Sequence, residues 1–287
     1  MLLASTRHSE QRAALLGFAL GFLPFLSWVG AGIAATWALR RGVLGAQWAV
    51  AAILLPGIVL AWQGDASGLV GGVVLLVLIE VLRASARWER VLQTVVGLGL
   101  LATFAIELLF SAQLPVIIDV AGETLRAMAG DWLDQVPEAT LSRSLTQIVV
   151  GSLTMASVAW ALMALLVARW YQSRIWNPGG FGQEVLALRL SPIFASLLAA
   201  AVAFGGLMGV DAGRYVPVLA IPLIVASLSL IHAFLARWKV PVGVHVMPYV
   251  LSLVLLSVVV PMLLVLAVAD SYFNFRRLES SSTHEDS

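Results

Sequence analysis

The sequence predicts an all-α membrane protein, a polytopic bundle of eight to ten membrane helices, on three observations. Hydrophobic residues make up 60% of the chain and charged residues 11%, where a soluble domain has about 45–50% and 25%. The apolar residues run continuously instead of alternating with polar ones, which in hydrocarbon leaves helices and discounts a barrel. The basic residues gather in every second connection between those runs.

The runs cover residues 13–39, 43–62, 67–82, 91–112, 147–168, 193–210, 216–236 and 242–269. A helix crossing the hydrocarbon core needs about 20 residues. One integral membrane domain is therefore expected over residues 1–277, followed by a tail at 278–287 whose Ser and acid content reads as disordered. Residues 1–12 are polar and precede an apolar run without a small-residue cleavage signature, so no cleaved signal peptide is expected. The terminal runs can be read as single spans or as hairpins: as one helix, 13–39 would reach roughly 40 Å against a core of about 30 Å, whereas hairpin arms would be short, about 14 to 16 residues. Hairpins around Phe25-Leu26-Ser27 and around Val260-Pro261 would keep Arg7, Arg12, Arg276 and Arg277 on one side of the membrane.

Arg40, Arg41, Arg83, Arg87, Arg90, Arg169, Arg174, Arg189, Arg237 and Lys239 fall in one set of alternate connections. The other set holds Arg126, Arg143 and Arg214 beside acids such as Asp65, Asp119, Glu123, Asp131, Asp134, Glu138 and Asp211. Ten basic residues against three place the first set in the cytoplasm.

Two connections have a character of their own. In residues 114–144, Val116, Val120, Leu125, Met128, Trp132 and Leu133 recur at helical spacing among acids, which predicts a helix lying on the outer surface. In residues 169–190, Arg and Trp residues precede a turn at Asn177-Pro178-Gly179-Gly180 and an amphipathic run from Glu184 to Leu190. Exposed Phe181 with Arg174 and Arg189 could dock a partner, or the turn could simply redirect the chain while arginines meet anionic lipid. Small residues at four-residue spacing, Gly17 and Gly21, Gly68 and Gly72, Gly205 and Gly209, Ala31 and Ala35, support close helix packing.

Ionisable residues inside a membrane are functional candidates by default. Glu80 stands three residues before Arg83, the spacing of a helix-surface ion pair. Glu107 lies deeper and has no basic residue three or four positions away, so it must find a partner on another helix, face water or be protonated. With Trp160 and His232 it forms the set of ligand-pathway candidates. His232 and His245 are 13 residues apart with no third ligand near them in sequence, and either imidazole could simply donate to a backbone carbonyl, so no metal is assigned.

Enzyme signatures are missing. There is no His-Glu-x-x-His and no Gly-x-Ser-x-Gly, and the only lysine, Lys239, follows Trp238, so a P-loop Gly-Lys-Ser/Thr does not occur. No cysteine is present, which excludes a thiolate metal site. A non-enzymatic protein without cofactors is expected, with the lipid bilayer rather than nucleic acid as its surroundings.

The segments Arg169-Trp-Tyr-Gln-Ser-Arg-Ile-Trp-Asn-Pro-Gly-Gly-Phe-Gly-Gln-Glu184, Leu188-Arg189-Leu190, Ile231-His232-Ala233 and Ala269-Asp270-Ser271-Tyr272-Phe273-Asn274-Phe275-Arg276-Arg277, with Leu39-Arg40-Arg41-Gly42, resemble the YybS-like bacterial membrane proteins. The resemblance covers most of the chain and implies a multi-pass protein of the bacterial inner membrane. That family in turn is similar to the substrate-binding subunits of energy-coupling-factor vitamin transporters, which bind a small molecule in a helical bundle and depend on separate ATPase and coupling subunits. It assigns no role to an individual residue.

The expectation is thus a transporter-subunit-like bundle that binds a small ligand or a partner membrane protein. The alternative is a membrane scaffold or assembly factor docking cytoplasmic proteins through Arg174, Asn177, Pro178, Gly179, Gly180, Phe181 and Arg189. An intramembrane enzyme using Glu107, His232 or His245 would need acid and imidazole within hydrogen-bond reach at one depth.

Overall fold

The computed structural model describes residues 2–129, 135–205 and 212–276. Among these there is no strand, and the chain forms twelve α-helices. They are α1 (Leu2–Leu20), α2 (Ser27–Arg41), α3 (Gln47–Trp62), α4 (Ser67–Ser85), α5 (Trp88–Leu109), α6 (Leu114–Ala129), α7 (Glu138–Trp176), α8 (Gly180–Ala187), α9 (Pro192–Phe204), α10 (Val216–Arg237), α11 (Met247–Val254) and α12 (Leu256–Phe273). A 3-10 turn at Ala212–Arg214 precedes α10 and another at Val242–Val246 precedes α11. The all-α membrane class follows: α4, α5, α7, α12 and the stretch Ala212–Arg237 are long and apolar enough to cross a membrane, and α8 with α9 makes a sixth if that pair, bent by 66°, is one span. This is fewer than the eight to ten expected, because α2 and α3 have only 15 and 16 residues and both terminal runs break into shorter arms.

The helices group into two compact units, residues 1–178 with 209–218, and residues 179–208 with 219–287. In the first, the run at 13–39 does break into a hairpin, at residues 21–26. Gly17 and Gly30 let its arms meet: a Cβ on Gly17 would stand 2.7 Å from the Gly30 carbonyl oxygen. The hairpin brings the buried Glu10 carboxylate onto Arg41. Helix α2 then runs parallel to α7, since Ser27 meets Trp160 and, further along both helices, Trp37 meets Trp176 edge to face. Between these points Gly32 packs on Val167, and Thr36 donates to the Gly32 and Ala168 carbonyls at 3.0 and 3.4 Å. Leu75, Leu78, Ile79, Leu92, Val95, Val158 and Leu165 fill the core between α4, α5 and α7.

One end of this unit is basic. Arg40 lies 4.4 Å over the Trp176 ring, and Arg83 pairs with Glu80 at 2.6 Å, the expected helix-surface pair. Glu80 also accepts the Val43 N–H at 2.6 Å, which ties the α2–α3 turn to α4. At the other end α7 outruns its expected span. Its 39 residues extend roughly 58 Å, about twice the hydrocarbon thickness. The added turns carry Leu141 and Leu145, on which Ile118, Ala121 and Ala129 pack. A helix does form in the 114–144 connection, as α6, with Val116, Val120 and Met128 exposed. Asp131, Trp132, Leu133 and Asp134 lie outside the described residues, as do Gly209, Asp211, Arg277 and the tail at 278–287.

In the second unit, Leu198, Leu223, Leu230, Leu263 and Ala267 form the core. Ser227 donates to the Leu263 carbonyl across α10 and α12, the kind of interhelical bond that small polar residues make in lipid. The expected hairpin at Val260-Pro261 is corrected: Pro261 lies inside α12 and the chain breaks at Leu255 instead. The amphipathic run at Glu184–Leu190 is also corrected, since the helix covers Gly180–Ala187 and Leu188 is already extended.

Candidate functional site

The first unit contains a cavity of about 320 Å³ walled by α1, α2, α3, α4 and α7. It lies at the end of the unit where the turns at 21–26 and 63–66 are found. The local sequence explains both its walls and its void. Glycine permits close approach where the walls join: Gly21 packs on Pro56, and a Cβ on Gly57 would come within 2.7 Å of the Leu69 nitrogen. Where the walls part, the side chains are small, Ala31, Ala52, Ala156 and Ser157, and do not fill the gap. Most known ligand pockets are of this kind, about 300–1,000 Å³, mainly apolar, with a few placed polar groups.

Trp160 is the largest polar-tipped side chain on the wall. Its indole lies against Gly71, where a Cβ would stand 2.9 Å from a ring carbon, so only glycine admits the ring there. Its Nε1–H donates to Ser27 Oγ at 2.9 Å, and Ser27 donates in turn to the Pro24 carbonyl at 3.2 Å. Ser157 donates to the Leu153 carbonyl at 3.0 Å. Asp65, exposed at the rim, accepts the Ser67 N–H at 3.0 Å and the Ser67 hydroxyl at 2.5 Å through one carboxylate oxygen, which fixes the start of α4. No lysine, arginine or histidine lines the cavity.

The other two ligand-pathway candidates are elsewhere. Glu107 has found a partner on another element: it is ion-paired to Arg214, in the 3-10 turn before α10, and it does not line the cavity. His232 belongs to the second unit, where its Nδ1–H donates to the Leu228 carbonyl at 2.7 Å. His245 and Tyr249 each stand 5.6 Å from it, ring to ring. Among the described residues no group of three or more His, Cys, Asp or Glu could hold a metal ion.

The second unit brings together sequence segments that are far apart in the chain. Arg189 Nε donates to the Asp270 carbonyl at 3.0 Å and its Nη2 to the Ser271 carbonyl at 2.5 Å, at the end of α12. Arg276 donates to the Leu186 carbonyl at the end of α8 at 2.8 Å and to Ser229 Oγ at 3.2 Å, and lies 3.5 Å from the buried Asp270 carboxylate. Ser229 itself donates to the Leu188 carbonyl at 3.1 Å. Helix C-termini leave carbonyls without intrahelical partners, and here arginine and serine supply them. Burial lowers the Arg276 guanidinium pKa from its ordinary value, Asp270 raises it and Arg189 adds to the lowering, yet the group stays charged.

The docking-loop candidates divide accordingly. Asn177, Pro178 and Gly179 form an exposed turn, with Gly179 at φ +86°, a conformation that favours glycine. Arg174 is exposed, 5.4 Å from the Trp170 ring. Gly180 is buried and Phe181 half-buried in α8, so the exposed Phe181 expected from the sequence is corrected. Arg189 is half-buried, and its guanidinium is engaged by two carbonyls of α12.

Ser27, Ser157 and Asp65 were not singled out as site residues by the sequence. Each is an ordinary helix or turn residue in isolation, and only the antiparallel return of α1 and the parallel course of α2 and α7 places them around one void. No family model, no curated protein and no solved structure matches the chain.

Proposed function

We propose that this chain is a multi-pass protein of the bacterial inner membrane that binds a small ligand in the cavity beside Trp160 and works as a non-enzymatic, transporter-type binding subunit. The observation that carries this is the cavity itself: a packed bundle would favour a scaffold, whereas a void with a few fixed polar groups favours a ligand. The motif resemblance to YybS-like proteins, and through them to transporter binding subunits, points the same way. The missing P-loop would then mean that separate ATPase or coupling subunits drive any transport. Glu107 is ion-paired to Arg214, and His232 stands beside His245 and Tyr249, so the proposal gives neither a catalytic role. The basic end of the first unit would face the cytoplasm and the cavity the outer leaflet.

The test is to purify the full chain from native membranes in mild detergent and identify small molecules released on denaturation. A compound should co-purify with the native protein and be lost from Ser157→Leu, which fills the void from α7, while both proteins unfold at similar temperatures. Equal recovery from both, or none from either, would overturn the proposal. The scaffold alternative is favoured by the exposed Arg174 and Asn177–Gly179 turn. It requires that Arg174→Ala abolish capture of a cytoplasmic partner while Ser157→Leu leaves it intact.

A further inference from the structure

We propose that the ligand of this cavity is a small organic cation with an apolar body, a quaternary or protonated amine held between the Trp160 indole and the Asp65 carboxylate. The inference rests on the ligand-binding function proposed above and adds its charge.

The argument comes from which hydrogens are already committed. Four lining side chains carry donors: Ser27, Ser67, Ser157 and Trp160. Each donates to the protein, to the Pro24 carbonyl, Asp65, the Leu153 carbonyl and Ser27 respectively. Towards a ligand these groups therefore offer lone pairs and a π-face, and none has a spare proton. An anion is held most firmly by positive charge, and the lining side chains include no lysine, arginine or histidine to supply it. A cation finds the reverse. Both Ser67 bonds to Asp65, which lines the cavity, go to one oxygen, Oδ1, and neither uses Oδ2. An indole attracts a cation over its face more strongly than any other side-chain ring. The remaining wall of Gly, Ala, Ile and Leu suits an apolar body.

Two probes of equal size and opposite charge, benzyltrimethylammonium and benzylsulfonate, separate the possibilities by titration calorimetry on the full chain in a non-ionic detergent. The cation should bind about tenfold or more tightly than the anion, since charge sign decides both the carboxylate and the indole contribution. Asp65→Asn should reduce cation binding by about tenfold while keeping the start of α4, because the amide oxygen of Asn can accept the same two Ser67 bonds. Trp160→Phe should weaken it by about threefold, phenyl being a poorer cation host than indole. Equal or preferred binding of benzylsulfonate, or a cation affinity unchanged by Asp65→Asn, overturns the charge assignment and leaves the ligand-binding function standing. If neither probe binds, the cation assignment falls, and the ligand-binding function is decided separately by the co-purification experiment, which presupposes no charge.

Discussion

Two pairs of acid and arginine, Glu107 with Arg214 in the first unit and Asp270 with Arg276 in the second, invite comparison. The pairs look alike in a list of charges and differ in surroundings. Glu107 is 29% exposed and stands in the last turn of α5, where its carboxylate is not sealed off. Asp270 is 3% exposed. It accepts the Phe275 N–H at 3.1 Å, and the guanidinium it faces also serves the open end of α8. The first pair joins two elements at a surface, whereas the second is one member of a polar cluster that completes several helix ends. Charge is tolerated inside the second unit because it answers backbone carbonyls that a broken helix has left without partners.

The largest effect should therefore come from breaking the second pair. Removing one member of a buried pair leaves an uncompensated charge and typically costs about 3–5 kcal/mol. Arg276→Met should fall at the lower end of that range, about 3 kcal/mol, because the pair distance is 3.5 Å and Asp270 keeps the Phe275 N–H. Asp270→Asn combined with Arg276→Met should recover part of the loss, since no unpaired carboxylate remains. Denaturant unfolding of the purified variants measures both. A single mutant no less stable than the native chain would show that the cluster is ornamental.

The first pair tests the contrast more finely. Glu107→Gln and Arg214→Gln, taken singly and together, should give a coupling of about 1 kcal/mol, within the range seen for residues in contact and below that of a buried cluster. Ligand recovery should not change, because neither residue lines the cavity. Coupling as large as that between Asp270 and Arg276 would erase the distinction. A lost ligand with intact folding would return Glu107 to the binding pathway.

These two pairs also show where the sequence was legible. The apolar runs located α4, α5 and α10 to within a few residues because continuous hydrophobicity over 18 or more positions has one outcome in lipid. Glu107 was recognisable as needing a distant partner, since no base lay within a turn of it, but nothing local could name Arg214. Asp270, Arg189 and Arg276 stood in distinctive motifs whose common cause, shared helix ends, appears only when α8, α10 and α12 are folded together. The break at Leu255 was misplaced to Pro261 because proline is tolerated inside a membrane helix when neighbours satisfy the freed carbonyl. For the cavity, only Trp160 carried a signal. A void is defined by what its walls lack, and small residues are too common in this chain for any one of them to mark it.

A pair of single-methyl changes sharpens the same contrast, between atoms that meet and atoms that do not, within a single helix. Gly97 and Gly99 are two residues apart in α5. A Cβ on Gly99 would stand 2.1 Å from Val218 Cγ1, and Val218 is fully buried with a β-branched side chain that has few other rotamers. A Cβ on Gly97 meets nothing within 4 Å. Gly99→Ala should therefore destabilise by about 1–2 kcal/mol through overpacking. Gly97→Ala should stabilise by about 0.5–1 kcal/mol, because alanine loses less backbone entropy in a helix and no neighbour has to move. Opposite signs two residues apart can arise from packing but not from helix propensity, which favours alanine equally at both positions. Two substitutions of the same sign in thermal unfolding would mean that the α5 contact with Val218 does not hold in the folded protein.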